Sequence, residues 1–181
     1  MIKAYFFDWM GTVADATDRM IVRDLNGQEC HESLLVNRFH EADIPRCGDL
    51  IRSKLTNADH WLYEDSMEVI SSLKPDYKLA IVSNMYDITA RRVRQLFPQF
   101  LSKFDMLAFS AEVGLRKPDP QIFLYALRRL NKIHGTDILP NEVVMVGDNM
   151  DKDVGPANEA GMYADLIDRD SQGLLEVVGK V

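Results

Sequence analysis

A chain of 181 residues with an apolar fraction of 46% is long enough for one well-buried core and a modest insertion. Its net charge of -7 and lack of any Lys/Arg-rich run exclude the basic face that nucleic acid or an anionic membrane selects, and leave small molecules as the expected partners. No stretch approaches the roughly 18 apolar residues of a membrane helix and no signal-peptide pattern opens the chain, so a soluble, cytoplasmic protein is expected.

Ala4 to Phe7 is an apolar run too short for a helix and reads as a buried strand. From about Ala14 to Leu73 no strand-like run interrupts the helical patterns HESLLVNRFHEA, DLIRSKL and SMEVISSL, which predicts a small helical cap over residues 15–73. Placed directly after the first strand, the cap either covers that strand's active end as a lid or completes the core. Asp15 reads as a cap at its start, with substrate contact as the other reading. Cys30 and Cys47 have neither metal-ligand nor disulfide-framework spacing and read as reduced bystanders.

Leu79 to Val82 predicts the next strand, and Asp87 opens a helix that turns Ile88, Val93, Leu96 and Phe97 toward a core. Met106 to Phe109 is a third strand. Asp119 and Pro120 start a helix with Ile122, Phe123, Ala126, Leu127 and Leu130 on one face. Val143 to Val146 is a fourth strand, and Gly161 ends a helix before a weaker fifth run from Tyr163 to Ile167. Strand and helix in alternation predict a Rossmann-like α/β core over residues 1–14 and 74–181. Its doubly wound parallel sheet should bind ligands at the C-terminal strand ends.

Three of those strand ends carry Asp8, Ser83 and Asp148. Carboxylates leaving adjacent apolar strands are costly to desolvate and repel one another, a conflict that a divalent cation between them removes. Two carboxylates and water are what Mg2+ prefers. Each residue also has a structural reading: Asp148 and Asp153 as helix caps, Ser83 and Asn84 as a strand end, Lys117 as a solvated loop residue.

In the order Asp8 and Thr12, Ser83, Lys117, Asp148 and Asp153, the chain resembles the haloacid dehalogenase (HAD) superfamily across nearly its whole length. FFDWMGT resembles that family's first motif, LAIVSN its second, RKPDP its third and VGDNMDKDVGPANEAG its fourth. The resemblance implies an Mg2+-dependent hydrolase, most simply a phosphatase of a small phosphorylated metabolite, with Asp8 as the nucleophile that forms an aspartyl phosphate. It implies metal binding by Asp8, Asp148, the main-chain carbonyl of Met10 and Asp153, the last either directly or by holding groups that touch the metal. Trp9, Met10, Ser83, Asn84 and Lys117 would hold the phosphoryl group, with Lys117 also catalytic through its charge.

The match fails at Met10, where the usual pattern has a second Asp that protonates the leaving group. A thioether has no proton to give. Three answers stand: an acid recruited from His31, His40, His60, Glu64 or Asp65; a substrate whose leaving group needs no proton; or a weakly active or non-catalytic protein that binds a phosphorylated ligand or a partner. The second answer includes a phosphonate, because phosphonoacetaldehyde hydrolases similarly carry a Trp after the nucleophile, and Lys54 would be their Schiff-base lysine. Carbon–halogen cleavage fits less well, since GDNMDKD keeps both acidic positions. A receiver domain is opposed by Asp8 lying on the first strand, and other nucleotide folds by the absence of GxxxxGK and GxGxxG.

Overall fold

The computed structural model describes residues 1–16, 22–23, 29–30 and 60–179. Five strands form one parallel sheet in the order β7, β6, β1, β8, β9: Ala4–Phe7 (β1), Lys78–Ser83 (β6), Met106–Phe109 (β7), Val143–Gly147 (β8) and Tyr163–Leu166 (β9). Every pairing in it is parallel. These are the apolar runs read from the sequence, trimmed or extended by a residue.

Side chains alternate across a strand, and β1 shows what each face buries. Tyr5 and Phe7 enter one cluster with Val69 and Ile70 of α1 (Ser66–Leu73), Val93 of α2 (Asp87–Leu96), Phe100 of α3 (Pro98–Leu101) and, further along, Val177 of the C-terminal helix Leu174–Val178. Ala4 and Phe6 enter the other with Ile122, Phe123, Ala126, Leu127 and Leu130. Those five residues are the predicted face of α5 (Gln121–His134), which follows the short α4 (Ser110–Val113). Burying a side chain such as Phe123 contributes about 1.5–3 kcal/mol, so the stripe on α5 alone secures it to the sheet. Asp119 Oδ1 accepts from the Gln121 N–H at 2.9 Å at the start of α5. Gly161, at φ 82°, ends α6 (Gly155–Glu159) before β9. The C-terminal helix Leu174–Val178 is α7.

The chain divides into two compact units, residues 1–15 with 61–181 and residues 16–60. Two outcomes differ from the reading of 15–73 as a helical cap. Helix α1 lies in the first unit, where it packs on the sheet and on α7, because its Val69 and Ile70 face is a sheet-covering face. Unit two contains an antiparallel pair, Val22–Arg23 (β3) with Glu29–Cys30 (β4), where only helix was expected. The helical patterns HESLLVNRFHEA and DLIRSKL, with His31, His40, Cys47 and Lys54, lie outside the described residues, as does the Ile88 side chain. Ala14–Ala16 (β2) pairs with His60–Leu62 (β5) where the chain leaves and re-enters the first unit. Among the described residues, no helix is long and apolar enough to cross a membrane.

Candidate active site

Because β6 and β8 flank β1, Asp8, Ser83 and Asp148 leave three adjacent strands at the same edge of the sheet. Helices α1, α2 and α3 cover one face and α5 the other, so the winding reverses between β1 and β8, where ligands of such sheets are expected. Asp8 is still held by the ladder: its N–H donates to Val146 O at 3.0 Å.

A tight turn follows. Gly11 N–H donates to Ala14 O at 2.8 Å, and the N–H groups of Val13 and Ala14 donate to Trp9 O at 3.2 and 2.9 Å. Gly11 is needed twice over. Its φ of 70° disfavours any side chain, and a β-carbon there would sit 2.3 Å from Asp148 Oδ2. The bare glycine lets the Asp148 carboxylate press against the turn that carries Asp8.

Trp9 and Met10 are placed differently from each other. The Trp9 indole is fully buried, 5.6 Å from the Phe97 ring and 6.0 Å from that of Phe100. Only its main chain is left for a phosphoryl group. Met10 is half-buried and packs against the same apolar cluster, so no proton-bearing group occupies its position.

β6 ends on Ser83, which is buried, and then Asn84. The Asn84 carboxamide grips the main chain of Lys117 from both sides: Oδ1 accepts the Lys117 N–H at 2.8 Å and Nδ2 donates to the Lys117 carbonyl at 2.8 Å. Met85 is stitched in parallel, its N–H donating to Ser110 Oγ at 3.1 Å while that hydroxyl donates back to Met85 O at 3.2 Å.

β8 ends on Gly147, where a β-carbon would lie 2.4 Å from Asp153 Cβ, so the glycine lets the turn Met150–Val154 fold back over the strand. Asn149 caps that turn by accepting from the N–H groups of Asp151 and Lys152 at 3.0 and 2.9 Å. Its own N–H donates to Asp153 Oδ2 at 3.0 Å. The capping role expected as an alternative for Asp148 and Asp153 therefore belongs to Asn149.

Lys117 is not a solvated loop residue. Its side chain is 2% exposed, with Nζ 2.8 Å from Asp8 Oδ1 and 2.5 Å from Asp153 Oδ1. Burial alone would push its pKa down, but Asp8 and Asp153 outweigh this and hold the ammonium above its usual value. Burial, and then the charge of Asp8, push the Asp153 carboxyl up to about 6 against the pull of Lys117. Asp8, Asp148 and Asp153 each offer an oxygen, all within 4.8 Å of one another, with Asp148 the least buried. An oxygen-only donor set with this much gathered negative charge fits a hard divalent cation.

The acid candidates that fall among the described residues divide. His60 lies on β5 and is partly buried, and Glu64 is exposed. Asp65 is committed: Arg169 Nη1 donates to its Oδ2 at 3.1 Å, Arg169 Nη2 pairs with its Oδ1, and the Leu174 N–H donates to Oδ2 at 2.6 Å. Burial would raise its pKa, but these donors overcome that and hold the carboxyl below its ordinary value. Asp65 is thus a carboxylate at neutral pH and no proton donor. Beside it, Tyr63 Oη donates to Asp15 Oδ2 at 3.1 Å, a structural tie.

Sequence reasoning did not find Gly147, Asn149 or the use to which Asn84 is put. The only signal for the first was a glycine directly before Asp148; for Asn84, whose partner lies 33 residues away, no local signal exists.

A glyceraldehyde 3-phosphate phosphatase of Methanopyrus kandleri is 44% identical over 66 residues, 36% of this chain and 26% of that protein. A phosphoserine phosphatase of Thermus thermophilus is 42% identical over 66 residues, 36% of this chain and 24% of that protein. The matches thus span about a quarter of these relatives' length. The fold is that of a HAD phosphatase from Thermococcus onnurineus, with a TM-score of 0.63 at 24% identity over 95% of this chain and 89% of that one. It is also that of the HAD-hydrolase YfnB from Bacillus subtilis, solved bound to magnesium, with a TM-score of 0.66 at 17% identity over 97% and 91% of the two chains. A family model of haloacid dehalogenase-like hydrolases matches residues 49–161, more than half of the chain, and the chain belongs to that family.

Proposed function

We propose that this chain is a hydrolase that moves a phosphoryl group from a small phosphorylated metabolite to water by way of Asp8. The observation that carries the reading is the buried Lys117 ammonium bridging Asp8 and Asp153 at the C-terminal edge of the sheet. A carboxylate can attack an anionic phosphorus centre only where the gathered negative charge is offset, and Lys117 is fixed there before any substrate arrives. Lys117 engages one oxygen of Asp8 and the other attacks, forming an oxygen–phosphorus bond as the leaving oxygen departs. Water then cleaves the aspartyl phosphate.

Ser83 and the main-chain N–H groups of Trp9, Met10 and Asn84 are the donors assigned to the phosphoryl oxygens. A divalent cation, in this reading Mg2+, would be held by Asp8, Asp148, Asp153 and the Met10 carbonyl and would neutralise charge that Lys117 alone leaves unbalanced. The two phosphatases similar to part of this chain are named for small phosphorylated metabolites, which supports that substrate class.

A second reading is favoured by Met10, whose side chain packs on the core where an acid would serve the leaving group. A phosphonate, or a phosphorylated ligand that is bound and not turned over, suits such a site. The Trp9 side chain gives the phosphonate reading no further support, since it is a core residue.

The test is a panel of aryl phosphates, alkyl phosphates, phosphonates and haloacids, with and without Mg2+, on wild type and Asp8→Asn. Metal-dependent turnover of the activated aryl phosphate, abolished in Asp8→Asn, is the expected result. Equal silence of both proteins, with inorganic phosphate still bound, would replace the hydrolase by the ligand-binding reading.

A further inference from the structure

We infer that Asn84 is a positioning residue, whose carboxamide serves the reaction by holding Lys117 in place and not by touching the phosphoryl group. This rests on the reading of Asp8 and Lys117 given above. The carboxamide can satisfy the Lys117 N–H and carbonyl together in only one orientation, and it is found in that orientation with both bonds at 2.8 Å. A main-chain N–H and C=O of one residue are thereby both fixed, which leaves the Lys117 Cα little freedom to rotate or slide.

The need for such a hold follows from where Lys117 sits. It lies in the loop between α4 and α5, not on a strand, and its ammonium must meet two carboxylates delivered by β1 and by the turn after β8. Asn84 leaves β6, the strand hydrogen-bonded to β1, so the clamp refers the loop to the same sheet that carries Asp8. Ser110 ties the next residue, Met85, to the end of β7 and prevents the β6 exit from moving with the loop. A displacement of about 1 Å in a group that offsets charge can cost on the order of 10²-fold in rate, which is the scale expected here.

The experiment is a double-mutant cycle of Asn84→Ala and Lys117→Ala, read by kcat and KM on an aryl phosphate with Mg2+, alongside labelling of lysines with an acetylating ester followed by mass spectrometry. Asn84→Asp is the isosteric second variant: it keeps the acceptor for the Lys117 N–H and replaces the donor to the carbonyl. Both Asn84 variants should lower kcat roughly 10²-fold with KM changed little, and should expose Lys117 to acetylation. In the Lys117→Ala background, Asn84→Ala should cost less than about twofold, because the two act as one unit.

The proposal is overturned if the Asn84 cost is undiminished in the Lys117→Ala background, or if KM rises at constant kcat with Lys117 still protected, since Asn84 would then grip substrate directly. Labelling separates this from failure of the hydrolase reading. A wild type with no turnover whose Lys117 becomes labelled in both Asn84 variants keeps the clamp and loses the reaction; protection of Lys117 in all variants removes the clamp.

Discussion

Gly11 and Asp148 share one space: a single β-carbon on the glycine would lie 2.3 Å from the Asp148 carboxylate oxygen. The turn after β1 and the end of β8 are therefore fitted to each other at the scale of one methyl group.

Gly11→Ala should lose stability and metal affinity together. Alanine at φ 70° costs about 1–2 kcal/mol, and the contact must also displace Asp148. If Asp148 is a ligand, as proposed above, displacing it should weaken Mg2+ binding by at least about 10- to 100-fold. Gly135→Ala is the control, since φ there is 63° but nothing lies within 4 Å. Calorimetric titration should show weakened Mg2+ binding for the first variant and an unchanged affinity for the second; equal affinities in both would remove the steric argument.

Lys117→Met leaves Asp8 and Asp153 buried without their shared cation, which should cost about 3–5 kcal/mol in metal-free denaturation. Adding Mg2+ should raise the melting temperature more in this variant than in wild type, because the metal then carries the whole neutralisation. An equal rise in both proteins would show that the cation and Lys117 do not share these carboxylates.

Met10→Asp places a proton donor two residues after Asp8, the proposed nucleophile. Turnover of alkyl phosphates should rise by roughly 10²–10⁴, the usual range for general acid–base help, while an aryl phosphate with a good leaving group gains little. If alkyl phosphates gain nothing, the missing acid is supplied elsewhere.

Asp105 should govern part of the acid limb of stability. Burial would raise its pKa, but Lys74, the Leu79 N–H and His134 outweigh burial and hold it below the usual value. A pKa lower in the folded than in the unfolded state gives stability that is present above the unfolded value of about 3.9 and is lost as pH falls through the folded value. Asp105→Asn should therefore be less stable than wild type at pH 6, with the gap closing below about pH 3 to 4 in denaturant titrations. A gap that persists unchanged at pH 2 would assign the loss to packing.

How much of this was legible in the sequence depends on how local each cause is. The runs at β1, β7 and β8 carry their own strand signal, and Asp119 and Gly161 mark α5 and α6 by chain chemistry that needs no partner. The indole of Trp9 was missed: the residue was assigned to the phosphoryl group, although it shares the odd positions of Tyr5 and Phe7, which face the apolar cluster that the indole enters. The place of helix α1 was missed as well. SMEVISSL states which face is apolar but not which surface covers it, and the sheet claimed what was expected to belong to the cap. Asn84 was hidden for a different reason, since a carboxamide after a strand reads alike whether it meets a phosphate or a main chain 33 residues away.

The pairing of Ala14–Ala16 with His60–Leu62 sets the two exits of the intervening segment side by side, and neighbouring strands lie about 4.8 Å apart. To these strands, then, the segment is a connection whose two ends are held as neighbours. Closing such a loop costs only about 0.6 kcal/mol more each time its length doubles, so the sheet is nearly indifferent to what is grafted between these strands. Residues 16–60 can be treated as an exchangeable cassette: a chimaera carrying the matching segment of a relative should fold on this core, with a single melting transition as the check.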